Sequence, residues 1–139
     1  MSYTPTPETT PLYPKERFEM EIVILVEGEP VPAQRPRFSG RRCYQPARNV
    51  EYRSEVEYAA RLAMRGKQPL KGALSANVKL YRKYKPTSRI FGDVDNHLKA
   101  LFDGMNQIVF EDDAQIVQCS VSKHTDKKNP RAEIWIREL

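Results

Sequence analysis

Six acidic positions and one lysine, grouped within some twenty residues, are where this chain could do chemistry. Asp93 and Asp95 stand two residues apart at a strand-loop-helix junction. A short extended stretch there puts both carboxylates on one side before the helix begins. Lys99 comes one helical turn after Asp95, and Asp103 one turn after Lys99, so the helix carries alternating charge along one edge. Glu111, Asp112 and Asp113 follow the helix and precede the next strand, where the returning chain could bring a third carboxylate back to the first two. Oxygen ligands of this kind suit hard divalent cations, and Mg²⁺ typically takes one or two carboxylates together with waters and phosphate oxygens. Spacing alone leaves plainer roles open. Asp95 could be an ordinary N-cap, Lys99 a surface residue paired with Asp95 or Asp103, and residues 111–113 a solvated turn.

Other chemistries find no support. The sequence contains no Walker P-loop, GxGxxG turn, GxSxG elbow or HExxH. Cys43 and Cys119, the only cysteines, sit in no CxxC pair and near no histidine at metal-ligand spacing, which removes zinc and redox motifs. The longest apolar run, residues 22–26, falls far short of the ~20 residues of a membrane span. A soluble, cytoplasmic protein of a bacterial or phage-infected cell is therefore expected, with no membrane partner.

Charge is segregated. Residues 31–90 hold 15 Lys and Arg against 3 Glu, a net of +12, while the rest of the chain holds 8 basic against 15 acidic residues, a net of −7. Such a division suits a polyanion-binding surface, with the acids reserved for another part of the site; a solvated basic face without a partner is the alternative.

The elements that must position these groups follow from periodicity. Residues 1–17, rich in Thr and Pro, lack periodic apolar positions and read as a flexible arm, so the domain is expected over residues 18–139. Residues 18–27 contain the β-branched run of a buried strand. Residues 28–46 combine four prolines and Gly40 with Arg35, Arg37, Arg41 and Arg42 and predict a long functional loop. Residues 47–65 predict a helix with an apolar stripe through Val50, Val56, Ala59, Ala60, Leu62 and Ala63, stopped by Gly66. Residues 73–84 alternate as a strand with one buried face. Asp95 can cap a second helix running to about Ile108. Residues 115–122 and 131–139 then read as two strands, with a hairpin as the simplest connection. The order β-α-β-α-β-β predicts one small α/β or α+β domain with a mixed sheet and two helices.

The compound pattern Asp93-Val94-Asp95-Asn96, Lys99, Asp103 and Asp112-Asp113-Ala114-Gln115 resembles the DxDN…K…D…DDxQ signature of the RusA family of Holliday junction resolvases. Residues 28–32, 35–38 and 44–52 are similar to the basic amino-terminal loop of its phage-type members. The resemblance implies a homodimeric, Mg²⁺-dependent endodeoxyribonuclease, with Mn²⁺ as a possible substitute, that resolves four-way DNA junctions by paired nicks leaving 5′-phosphates and 3′-hydroxyls. It makes Asp93, Asp95 and Asp113 the metal-binding acids and Lys99 the essential lysine, with Asp112, Asp103, Asn96 and Gln115 in supporting roles. The basic loops would track phosphates through Arg35, Arg37, Arg41, Arg42, Lys83, Lys85 and Arg89. Two positions depart from the pattern. His97 stands where an apolar residue is usual and is expected as a partly exposed helix histidine; Gly92 stands where some members carry an arginine, a role that would pass to Arg89 or Lys85.

Overall fold

The computed structural model describes residues 21–34, 37–44 and 46–139. The predicted arm, Phe18 at the expected start of the first strand, and Arg35 lie outside them. Strand β1, Glu21–Glu27, alternates strictly, turning Ile22, Ile24 and Val26 into the core. The arginine-rich loop is not wholly irregular. It contains a small antiparallel hairpin, β2 Arg37–Ser39 with β3 Arg42–Tyr44, turning at Gly40 with φ 62°. Helix α1, Ala47–Met64, ends where Arg65 and Gly66 both take left-handed conformations. Strand β4 is Leu74–Arg82, helix α2 Val94–Met105, β5 Ile116–Thr125 and β6 Arg131–Glu138.

These form a mixed four-stranded sheet in the order β1-β6-β4-β5, of the α+β class expected. The hairpin expected between the last two strands is not there. β6 inserts between β1 and β4, antiparallel to both, while β5 pairs in parallel with the other side of β4. Burial explains the exchange. Strand β6 offers Ala132, Ile134 and Ile136 to the core, whereas residues 117–120 of β5 are all exposed, which suits an edge and not the centre. The link over the end of β4 is held by Asp126 N donating to Arg82 O at 2.8 Å, Thr125 Oγ1 to Tyr84 O at 2.8 Å, and an Arg131–Asp126 ion pair at 2.9 Å.

The inward side chains of β1, β4 and β6 share one core with α1 and α2. In α1 the buried seam runs through Tyr52, Val56, Ala60 and Met64, a strict i+4 row, while Val50 and Leu62 of the predicted stripe are 53% and 59% exposed. In α2 it runs through His97, Leu101, Gly104 and Met105. This second helix stops short of Ile108 because Gln107 turns to φ 68° and donates its N–H to Phe110 O at 2.7 Å.

Candidate active site

The approach to α2 is a folded loop. Successive bonds from Ser88 N to Lys85 O, Phe91 N to Ser88 O and Gly92 N to Arg89 O wind residues 85–92 into turns, and Phe91 plugs fully into the core. Three side chains clamp it. Arg82, buried at the end of β4, pairs with Glu29 at 2.8 Å and donates through Nη1 to Ile90 O at 3.0 Å and Phe91 O at 2.7 Å. Lys123 donates to Pro86 O and lies over the Phe91 ring. His97 contacts Phe91 O through Nε2 at 2.6 Å.

His97 is therefore not a partly exposed helix residue. It is 1% exposed, edge-on to the Phe91 ring. Since the Phe91 carbonyl can only accept, the neutral ring carries its proton on Nε2. Burial pushes its pKa down to about 4, with Arg82 and Lys123 adding to the effect against the favourable bond to Phe91. The histidine is a neutral brace at neutral pH. Gly92 explains its own departure from the family pattern: its φ is 94°, and a Cβ there would lie 2.9 Å from Pro32 Cγ and 3.0 Å from His97 Nε2. The two departures are thus one packing solution, the imidazole filling space that a side chain at 92 would need.

Asp93 leaves this brace as the N-cap of α2, with extended backbone and no side-chain capping bond. The cap predicted at Asp95 is displaced by two residues; Asp95 lies in the first turn, exposed to solvent. Neither carboxylate has a hydrogen-bond or ion-pair partner among the described residues, although the positive end of the helix dipole favours both. Lys99 and Asp103 pair at 3.6 Å on the same helix. The Lys99 side chain is 68% exposed, so the contact contributes little stability.

Asp113 opens a 3₁₀ turn, Asp113–Gln115, before β5. Gln115 fixes this turn: its Oε1 accepts from Glu111 N at 2.9 Å and Asp112 N at 3.1 Å, and its Nε2 donates to Leu70 O at 2.9 Å and Gly72 O at 3.1 Å. The Asp113 carboxyl has a raised pKa, first through burial, then through the Asp112 carboxyl bonded to it and the charge of Asp103, with Lys99 opposing. The fold therefore gathers Asp112, Asp113, Asp103 and Lys99 into one electrostatic neighbourhood, while Asp93 and Asp95 sit further back along α2. Among the described residues no three His, Cys, Asp or Glu side chains already close around a cation position. The available donors are carboxylate oxygens, which suit a hard divalent cation, and their mutual repulsion at Asp113 is what such a cation relieves.

The basic residues divide by partner. All three glutamates of residues 31–90 lie in α1, where they pair with Arg48, Arg53 and Arg61. Arg41, Arg42, Lys83, Lys85 and Arg89 are exposed on the hairpin and on the loop leading to Asp93. Arg37 contributes backbone to β2. Arg82 was hidden among these basic residues in the sequence, yet the alternation of Leu74, Ala76, Val78 and Leu80 continues to position 82 and marks it as inward-facing.

No helix among the described residues is long and apolar enough to cross a membrane. A curated relative, the uncharacterized protein YqaN of Bacillus subtilis (strain 168), is 32% identical over 141 residues, covering 85% of this chain and 96% of its own length. The family model described as Endodeoxyribonuclease RusA matches residues 27–137, from the end of β1 to the end of β6, and so spans the clamped loop, both helices and every acid discussed above. The chain belongs to the RusA endodeoxyribonuclease family.

Proposed function

We propose that this protein is a Mg²⁺-dependent resolvase of four-way DNA junctions, active as a homodimer in the cytoplasm. The observation that carries the reading is the family match together with Asp93, Asp95, Lys99 and Asp113 at the positions of the family's acidic and lysine motif. Asp93, Asp95 and Asp113 would hold the metal ion, which when bound supplies an activated water and a positive charge at the phosphate. Lys99 serves as a point charge against the scissile phosphate. Asp103 keeps its ammonium on the helix edge, and Gln115 sets the height of the Asp113 turn. Arg41, Arg42, Lys83, Lys85 and Arg89, with Arg35 and Arg37 outside the described side chains, track the phosphates of the arms. A junction is nearly two-fold symmetric and must be cut in two opposed strands, which a C₂ dimer does with one site per subunit. Residues 1–17 are dispensable for this chemistry.

The test is incubation with a mobile four-way junction and Mg²⁺, resolving product ends on a gel, beside Asp93→Asn, Asp95→Asn, Asp113→Asn and Lys99→Ala. Paired nicks from the parent are expected, with cutting reduced by orders of magnitude and junction binding retained in each variant. Near-parental cutting by Asp93→Asn or Asp113→Asn sinks the assignment, as does equal cutting of linear duplex.

A further inference from the structure

One cavity, of about 530 Å³, lies beside Lys99 and takes no part in the chemistry above. It opens between the N-terminal part of α1 and the face of α2 from Asn96 to Asp103, and the chain after β1 closes one side. Its walls are preformed. Asn49 of α1 donates through Nδ2 to Pro32 O at 2.9 Å, and Ala33 N donates to Asn96 O of α2 at 2.9 Å, so each helix holds the 32–33 segment. Further along, the helices touch at Gly104 and Val56, which fixes their spacing.

The lining has two characters. Val31, Ala33, Val50 and Ala100 supply flat apolar walls without an aromatic ring, and Val50 stays 53% exposed at the rim. The side-chain amides of Gln34 and Asn96 have no partner among the described residues, and Asn49 keeps its oxygen as an acceptor. An amide offers donor and acceptor side by side, the arrangement that pairs with a nucleobase edge. Lys99 and Asp103, with Arg53, whose guanidinium pairs with Glu57, form the remaining wall, so whatever enters is adjacent to the group assigned to the scissile phosphate. The volume is within the range of ligand pockets, which reach ~300–1,000 Å³. A base in an intact stack cannot enter, whereas a branch point already interrupts stacking and lowers the cost of turning one out.

We propose that this cavity receives one unstacked nucleobase next to the phosphate that is cut, and so decides at which sequence a junction is nicked. The inference rests on the junction-cutting reading, and its test separates the two. Four-way junctions carrying 2-aminopurine at each nucleotide flanking the nick, one at a time, are mixed with the full-length protein without divalent metal. Stacking quenches this base and the cavity has no ring to replace the stack, so fluorescence rises at one position on binding. Ala33→Leu fills the cavity from the loop side; Val50→Met fills it from a half-exposed helix position that folding tolerates, and decides the matter if Ala33→Leu does not fold. In both, the rise disappears while junction affinity stays within about threefold, because phosphate contacts dominate it. With Mg²⁺, junctions differing only at that base are cut by the parent with a spread of about tenfold, which the variants narrow to about twofold. Quenching at every position, or variants that keep both the rise and the selectivity, overturns the proposal. Cutting without rise or preference refutes the cavity's role alone; no binding or cutting of junctions refutes the junction reading and this inference with it.

Discussion

Gly104 is the position at which a single methyl group should do most damage. A Cβ on it would lie 2.6 Å from Val56 Cγ1 and 2.7 Å from Val56 Cβ, against an optimal carbon–carbon separation of ~3.5–4.0 Å. Val56 is fully buried in the α1 seam and cannot swing aside, and the Arg53 carbonyl stands 3.4 Å away on the same helix. Gly104→Ala must therefore push the helices apart by about 1 Å or tilt one of them. Overpacking of this kind costs ~1–3 kcal/mol. The gain of alanine over glycine in a helix interior offsets up to about 1 kcal/mol. A net loss of about 1–2 kcal/mol is expected from the rigid surroundings. Val56→Ala removes Cγ1 and so the tighter of the two contacts, leaves Cβ at 2.7 Å from the added carbon, and alone costs about 2 kcal/mol through its cavity. In the double variant only the contact between the two Cβ atoms has to relax and the cavity is partly filled, so it should be about 1 kcal/mol more stable than the sum of the single losses implies. Urea unfolding of the four proteins closes the cycle. Because α2 carries Asp93, Asp95 and Lys99, junction cutting by Gly104→Ala should fall as well and recover in part in the double variant. Additive losses, or a Gly104→Ala protein as stable as the parent, would refute the close contact and the argument built on it.

Folding raises the Asp113 carboxyl's pKa, so ionising it at neutral pH costs the fold; metal-free Asp113→Asn should melt no lower than the parent, and slightly higher at low salt, in a thermal scan. A lower melting temperature would make Asp113 a structural residue. Replacing Lys83, Lys85 and Arg89 together by alanine should reduce the slope of log affinity against log salt by about 2–3 in junction-binding titrations, leaving thermal stability unchanged; an unaltered slope removes these residues from the phosphate path. Arg82→Ala leaves the half-buried Glu29 without its cation and frees two carbonyls, so a loss of about 3 kcal/mol is expected by urea unfolding. An effect below 1 kcal/mol would mean that the loop before Asp93 is held by something else.

Much of this protein is legible locally. Alternation marked β1 and β4, the i, i+3, i+4 spacing marked α2, and Asp93, Asp95, Lys99 and Asp113 were visible as a motif before any fold was known, because period and spacing are properties of neighbouring residues. Features that depend on partners distant along the chain were not. Adjacent strands after α2 suggest a hairpin, yet β6 belongs in the centre because its apolar face must be covered from both sides, and β5 with its exposed residues 117–120 can stand at the edge. His97 reads as a surface histidine until Phe91 and Arg82, from other segments, enclose it. Among the basic residues, composition cannot separate Arg82, which braces the loop from inside, from Lys85 and Arg89, which face water. Sequence fixes which groups are present and their local period; burial and pairing are decided by surfaces that meet only after folding, since the desolvation of a charge and the packing of a ring depend on everything within a few ångströms, whatever its place in the chain.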